Sequence, residues 1–208
     1  MKRAGLIGVI ALVPVLALAA CGSDSASDAS SSAAASPTPS PTPSSVVWAG
    51  AVCVERDNLK AAVSALGRNL SYDITSDRSA LEQIDRQLRV QVLSVGNAAN
   101  GLVTALQGVP VDFQAANDLV VSVTKAKGDA QEALDAVTTS LDAMVNADSI
   151  LTAVAEGGKA LVGAKAAFEA GSALVSVSTN AITTARGELK EAFDAAPECQ
   201  GAASASPS

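Results

Sequence analysis

Residues 79–107, SALEQIDRQLRVQVLSVGNAANGLVTALQ, decide the fold. Leu81, Ile84, Leu88, Val92, Val95, Ala99, Leu102 and Leu106 step by threes and fours, so on a helix they line up as one buried stripe. A strand would alternate in twos, and this stretch does not. The same stepping appears upstream in Leu59, Val63, Leu66 and Leu70. Downstream it runs through Phe113, Ala116, Val120 and Val123, resumes at Ala130, Leu134, Val137, Leu141 and Met144, and returns in Leu161, Ala164, Phe168, Val175, Ile182, Leu189 and Phe193. Helices are expected near 50–70, 77–107, 112–155 and 158–195. The fold class is therefore all-α, an antiparallel up-and-down helical bundle or extended coiled coil of about four helices over residues 46–200.

The breaks have local causes. In SYDITSD, either Asp77 or the pair Ser79 and Glu82 can cap the second helix. Gly108 ends it, and Pro110 with Asp112 opens the third. Gly157 and Gly158 mark the last turn, because two adjacent glycines cost about 2 kcal/mol in a helix interior relative to alanine. The third helix is long, and Gly128–Asp129 and Ala147–Asp148–Ser149 are places where it can kink or split.

Composition narrows the function classes. Of 208 residues, 49% are hydrophobic but only 2% aromatic, so the core is built from Ala, Val and Leu. Small residues crowd the stripes in GNAANG, GAKAAFEAG and EAFDAA, which lets helix axes approach closely and favours a tight bundle over one enclosing a ligand cavity. The formal charge of −7 repels phosphate backbones and excludes nucleic acid as a partner.

The chain contains no histidine, which removes the commonest general base and most transition-metal sites. Ser122 and Lys125 have Ser-x-x-Lys spacing but lack the Ser-Asp-Asn and Lys-Thr-Gly partners of that chemistry. Asp73, Thr75 and Asp77 begin like a calcium loop, yet Arg78 stands where glycine is needed and Ile84 where the bidentate glutamate belongs. EGGKA ends like a phosphate loop, but Ala153 and Ala160 replace its first glycine and its hydroxyl. Trp48-Ala49-Gly50 has the form of a Trp-x-Gly turn but precedes the first helix instead of joining two. Asp129, Glu132, Asp135 and Asp142 read as a solvated acidic face. No catalytic, cofactor or metal site is assigned, no small-molecule substrate is identified, and an enzyme is not expected.

The N-terminus says where the chain goes. Lys2 and Arg3, an apolar run from Leu6 to Leu18 and small residues up to Cys21 form a secretory signal over residues 1–20. The run is short for a membrane span and carries Pro14. Leu18-Ala19-Ala20-Cys21 resembles the lipobox of bacterial lipoproteins, and the Ala, Gly and Val bias fits a high-GC Gram-positive (actinobacterial) source. The resemblance covers only the export segment. It implies that Cys21 receives a diacylglyceryl group and becomes the mature N-terminus, anchoring the chain to the cell membrane on its extracytoplasmic face. Two acyl chains suffice for stable anchoring where one does not. Removing the leader's Lys2 and Arg3 leaves 12 basic side chains against 21 acidic ones, a net charge of −9.

Residues 21–45 offer almost no large apolar side chain until Val46 and are expected to form a disordered linker, with Ser36–Pro43 favouring stiff polyproline II and open to O-glycosylation. Residues 201–208 form a disordered tail.

With Cys21 lipidated in an oxidising compartment, Cys53 and Cys199 are the thiols left to pair. Their disulfide requires Cα atoms within about 7 Å, which puts the start of the first helix beside the end of the last, as an even number of antiparallel helices does. The function expected is a non-catalytic interaction or structural module whose partner is an envelope protein or a second copy. The alternative is a lipoprotein that binds an apolar or lipid-like ligand inside the bundle. Val121 and Leu174, off the main stripes, are candidates for a second apolar strip.

Overall fold

The computed structural model describes residues 44–68, 70, 77–111, 113 and 116–200. The signal segment, Cys21, the Ser/Pro/Thr-rich linker and the tail 201–208 lie outside the described residues, as do Asp73 and Thr75. Among the described residues the elements are six helices: α1 (Ser44–Arg68), α2 (Arg78–Gln107), α3 (Asn117–Val145), α4 (Ile150–Thr183), α5 (Gly187–Ala195) and α6 (Pro197–Gln200). The first four are long and pack into an all-α bundle. The helical domain begins at Ser44, just before the expected residue 46.

Cross-helix neighbours give the topology. Glu55 lies against Gly101, Gly163 against Val137, and Gly171 against Val63, while Arg89 reaches Asp142. Each pair joins an early position on one helix to a late position on the other, so α1 to α4 run up, down, up, down. The stripe of 79–107 is buried throughout. Asp77 caps α2, its carboxylate accepting from the Ser79 backbone N–H at 3.0 Å, and the Ser79–Glu82 alternative is not used. At the other end of α2 the Gly108 N–H reaches the carbonyls of Thr104 and Ala105, both at 3.2 Å.

The last turn falls elsewhere than at Gly157–Gly158. Both glycines lie inside α4, and the chain turns over 146–149, one of the places where a split was anticipated. The reason is local on one side and tertiary on the other. Ser149 is in extended conformation and its hydroxyl accepts from the Thr152 backbone N–H at 3.1 Å, a strong cap. Gly157 sits on the buried seam of α4, which reads Ala153, Gly157, Ala160, Ala164, Ala167, Gly171, Leu174 and Ser178. That spacing is a heptad seam made almost wholly of small side chains, so close packing recovers what glycine costs the helix.

The expected α4 stripe is correspondingly displaced. Leu161, Phe168, Val175 and Ile182 flank the seam half-buried instead of lying in it, with the Phe168 ring over Gly67 of α1. α4 is also long and apolar enough, by length and composition alone, to cross a membrane, with a mean hydropathy of 1.3 over the qualifying stretch.

The expected helix 158–195 is broken as well. α4 stops at Thr183, whose hydroxyl, like that of Thr184, turns back onto the Asn180 carbonyl. Gly187 then takes a positive φ of 55°, a backbone state that glycine alone adopts without strain. α5 and α6 fold against the first half of α1, burying Leu189, Ala192, Phe193 and Ala196.

Candidate functional site

The disulfide stands at the end of the bundle where α1 begins. Cys53 and Cys199 are joined, with Cα atoms 5.2 Å apart. Beside them Trp48 meets Phe113 edge-on at 5.5 Å and Phe193 at 5.7 Å. Much of the small aromatic content of the chain is thus spent on one plug, which α5 closes. The Trp48 indole N–H is buried there with no acceptor. Trp48 belongs to α1 and not to a turn.

The short motifs resolve into ordinary helix chemistry. The Ser122 hydroxyl donates to the Asp118 carbonyl at 2.8 Å, a local backbone contact. Lys159 pairs with Glu156 on one turn of α4 at 2.7 Å. Within the acidic face, Asp142 accepts from Arg89 Nη2 at 2.8 Å, and the Nε of the same guanidinium donates to Asp85 at 2.7 Å. Partial burial pulls the Arg89 pKa down, but the hydrogen bonds to Asp142 and Asp85 and their charges outweigh it and hold the group above its ordinary value. This pairing fixes the register of α2 on α3. Of the proposed second strip, Val121 is 69% exposed. Leu174 is fully buried on the α4 seam and is removed from that strip.

One buried charge was not foreseen. Arg56 is 5% exposed, and its Nε donates to Asp57 Oδ1 at 2.9 Å. Nη2 lies 2.8 Å from the same oxygen but without a well-directed N–H, so it remains an unsatisfied donor.

The surface feature with the most convergent chemistry is a groove of about 200 Å³ between α2 and α3. Val92, Ala99 and Leu134 give it an apolar floor, while Gly96 leaves one wall bare. A Cβ at Gly96 would meet only the Leu134 Cδ1, at 3.8 Å, so the space is open and not crowded out. Asn97 and Asn100 rise from α2, and Lys127, Gln131 and Asp135 face them from α3 at successive helical turns. None of these five side chains makes a hydrogen bond or ion pair within the protein. Leu93, 64% exposed, forms an apolar lip.

Asp135 was read as part of a solvated stripe and GNAANG as packing residues, so the groove was missed. Its only sequence signal was a pair of asparagines beside glycines in a helix, where asparagine is a poor helix former. Chemically the groove offers paired amide donors and acceptors over an apolar floor, with one positive and one negative end. Comparison with family models, with curated proteins and with solved structures finds no match to this chain.

Proposed function

We propose that this chain is a lipid-anchored envelope lipoprotein, held to the extracytoplasmic face of the cell membrane through Cys21, whose helical domain is a non-catalytic module that docks on another macromolecule. The lipobox residues Leu18-Ala19-Ala20-Cys21 support the placement. The observation that carries the docking reading is the division of labour in the bundle. The interior is closed by small residues, with Gly171 accepting the Val63 side chain so closely that a Cβ there would lie 2.8 Å from Val63 Cγ2. Unpartnered polar groups instead gather on the outer face between α2 and α3. A carrier of an apolar ligand needs the opposite, an apolar void inside.

Native mass spectrometry of the purified chain, combined with photo-crosslinking in cells from position 93 and from position 162 on α4, tests this. Protein crosslinks from position 93 but not from 162, with no retained lipid, are expected. A stoichiometric lipid-sized mass would overturn the docking reading in favour of the carrier.

A further inference from the structure

The α2–α3 groove is specific enough in its chemistry to identify a class of occupant. We propose that it binds a short extended peptide with free termini, the peptide carboxylate at Lys127, its ammonium at Asp135 and its backbone amides on Asn97, Asn100 and Gln131. This deepens the docking reading and rests on it.

Three observations lead there. Asn97, Asn100 and Gln131 each present a donor and an acceptor on one planar amide, the same pairing that a peptide unit presents in return. An apolar ligand would cover these groups without satisfying them, and leaving a buried polar group unpaired is expensive. An inorganic or ester phosphate would meet Lys127 but be repelled by Asp135 and by the net acidic surface.

Length supplies the second argument. Lys127 and Asp135 are two helical steps of four residues apart, about 12 Å at 1.5 Å per residue. An extended chain covers about 3.3–3.6 Å per residue, so three or four residues span the two charges. Opposite charges at the two ends match a zwitterion in one orientation only. The third argument is bulk: with Gly96 and Ala99 on the α2 side, a groove of about 200 Å³ leaves room for side chains such as alanine or serine and little more.

The test titrates tri-alanine, and in parallel N-acetyl-tri-alanine amide, into the purified full chain with its disulfide formed, and follows the side-chain amide signals of Asn97, Asn100 and Gln131 by NMR. Saturable shifts of these signals with tri-alanine are expected. The capped peptide should bind about tenfold more weakly, since it forfeits two exposed ion pairs. Lys127→Gln and Asp135→Asn should each narrow that difference. Gly96→Leu should abolish binding while the melting temperature stays the same or rises, because the position is open and glycine is a poor helix residue.

Absence of shifts at about 10 mM peptide, equal binding of free and capped peptides, or shifts confined to other residues would each overturn the proposal. Crosslinks from position 93 to a protein partner that persist after such a result would refute only the peptide assignment. Loss of both results would refute the docking reading too.

Discussion

Replacing Cys53 and Cys199 together by alanine removes the one covalent link between the start and the end of the bundle. Alanine is the right probe because Cys53 is fully buried, and serine would add an unpaired hydroxyl. The link closes a loop with a sequence separation of 146, for which the chain-entropy relation gives about 17 cal/mol/K, or about 5 kcal/mol at 25 °C. The roughly 160 residues from Ser44 to Gln200 carry an unfolding entropy of about 0.33 kcal/mol/K near the melting point. Division gives a fall in Tm of about 15 °C. Far-UV circular dichroism measures the whole bundle, and Trp48 fluorescence reports the linked end. In the two-state case both probes shift together, and the urea m-value of the variant rises because its denatured chain is less compact. A double variant that melts within about 3 °C of the oxidised protein would refute the reasoning, as it would mean that Leu189, Ala192, Phe193 and Ala196 already hold the C-terminal segment as firmly as the bond does.

Other perturbations probe the core and the anchor. Trp48→Phe should cost about 1 kcal/mol or less in a urea titration, since it deletes an indole N–H that has no acceptor, whereas Trp48→Ala should cost about 3–5 kcal/mol. Gly171→Ala should destabilise by about 1–3 kcal/mol despite its better helix propensity, because Val63 is in the way, and adding Val63→Ala should restore most of the loss. Gly128→Ala, with nothing within 4 Å of the new methyl, should stabilise by up to about 1 kcal/mol. Arg56→Met should be neutral or stabilising by about 1 kcal/mol, because it removes a buried, incompletely bonded guanidinium and leaves Asp57 in water. Cys21→Ser should abolish lipid labelling and membrane retention, and normal acylation of that variant would sink the anchor assignment.

How far the fold could be read depended on what each helix uses for its buried face. α2 buries large aliphatic side chains at helical spacing, so its stripe and its ends were legible from the sequence. α4 buries alanine and glycine and leaves its larger residues half-exposed, so a search for large apolar side chains followed the flank instead of the seam. The same confusion made Gly157–Gly158 look like a turn. Propensity is a weak quantity of about 1 kcal/mol per glycine, and close packing of α3 against α4 overrides it. The real turn carried its own signal, Ser149 followed three residues later by Thr152, but that signal competed with two adjacent glycines and lost. The disulfide was legible because it depended on compartment and parity and not on register.

The groove was illegible for a different reason, and the reason bears on how such a surface is made. Asn97 and Gln131 become neighbours only when α2 and α3 are placed in register, and that register is set at a distance from them. The Arg89 fork onto Asp85 and Asp142 sets it on the helix faces, and Arg78 sets it near the turn by donating to the Ala147 carbonyl at 3.3 Å. No local pattern in GNAANG or in the residues around Gln131 encodes that alignment. Moving the α3–α4 turn to 146–149 does not shift the α2–α3 register, so an error in reading the turn would have left the groove intact. An error in the Arg89 contacts would not. Arg89→Leu is therefore the change that should separate fold from surface. The apolar stripe of α2 keeps the bundle folded with a loss of about 1–2 kcal/mol in a urea titration, while the alignment of Asn97 and Asn100 on Lys127 and Asp135 loosens. Retention of every groove signal in the NMR spectrum of that variant, at wild-type peptide affinity, would show that the stripe alone sets the register and that the ion pairs are incidental to it.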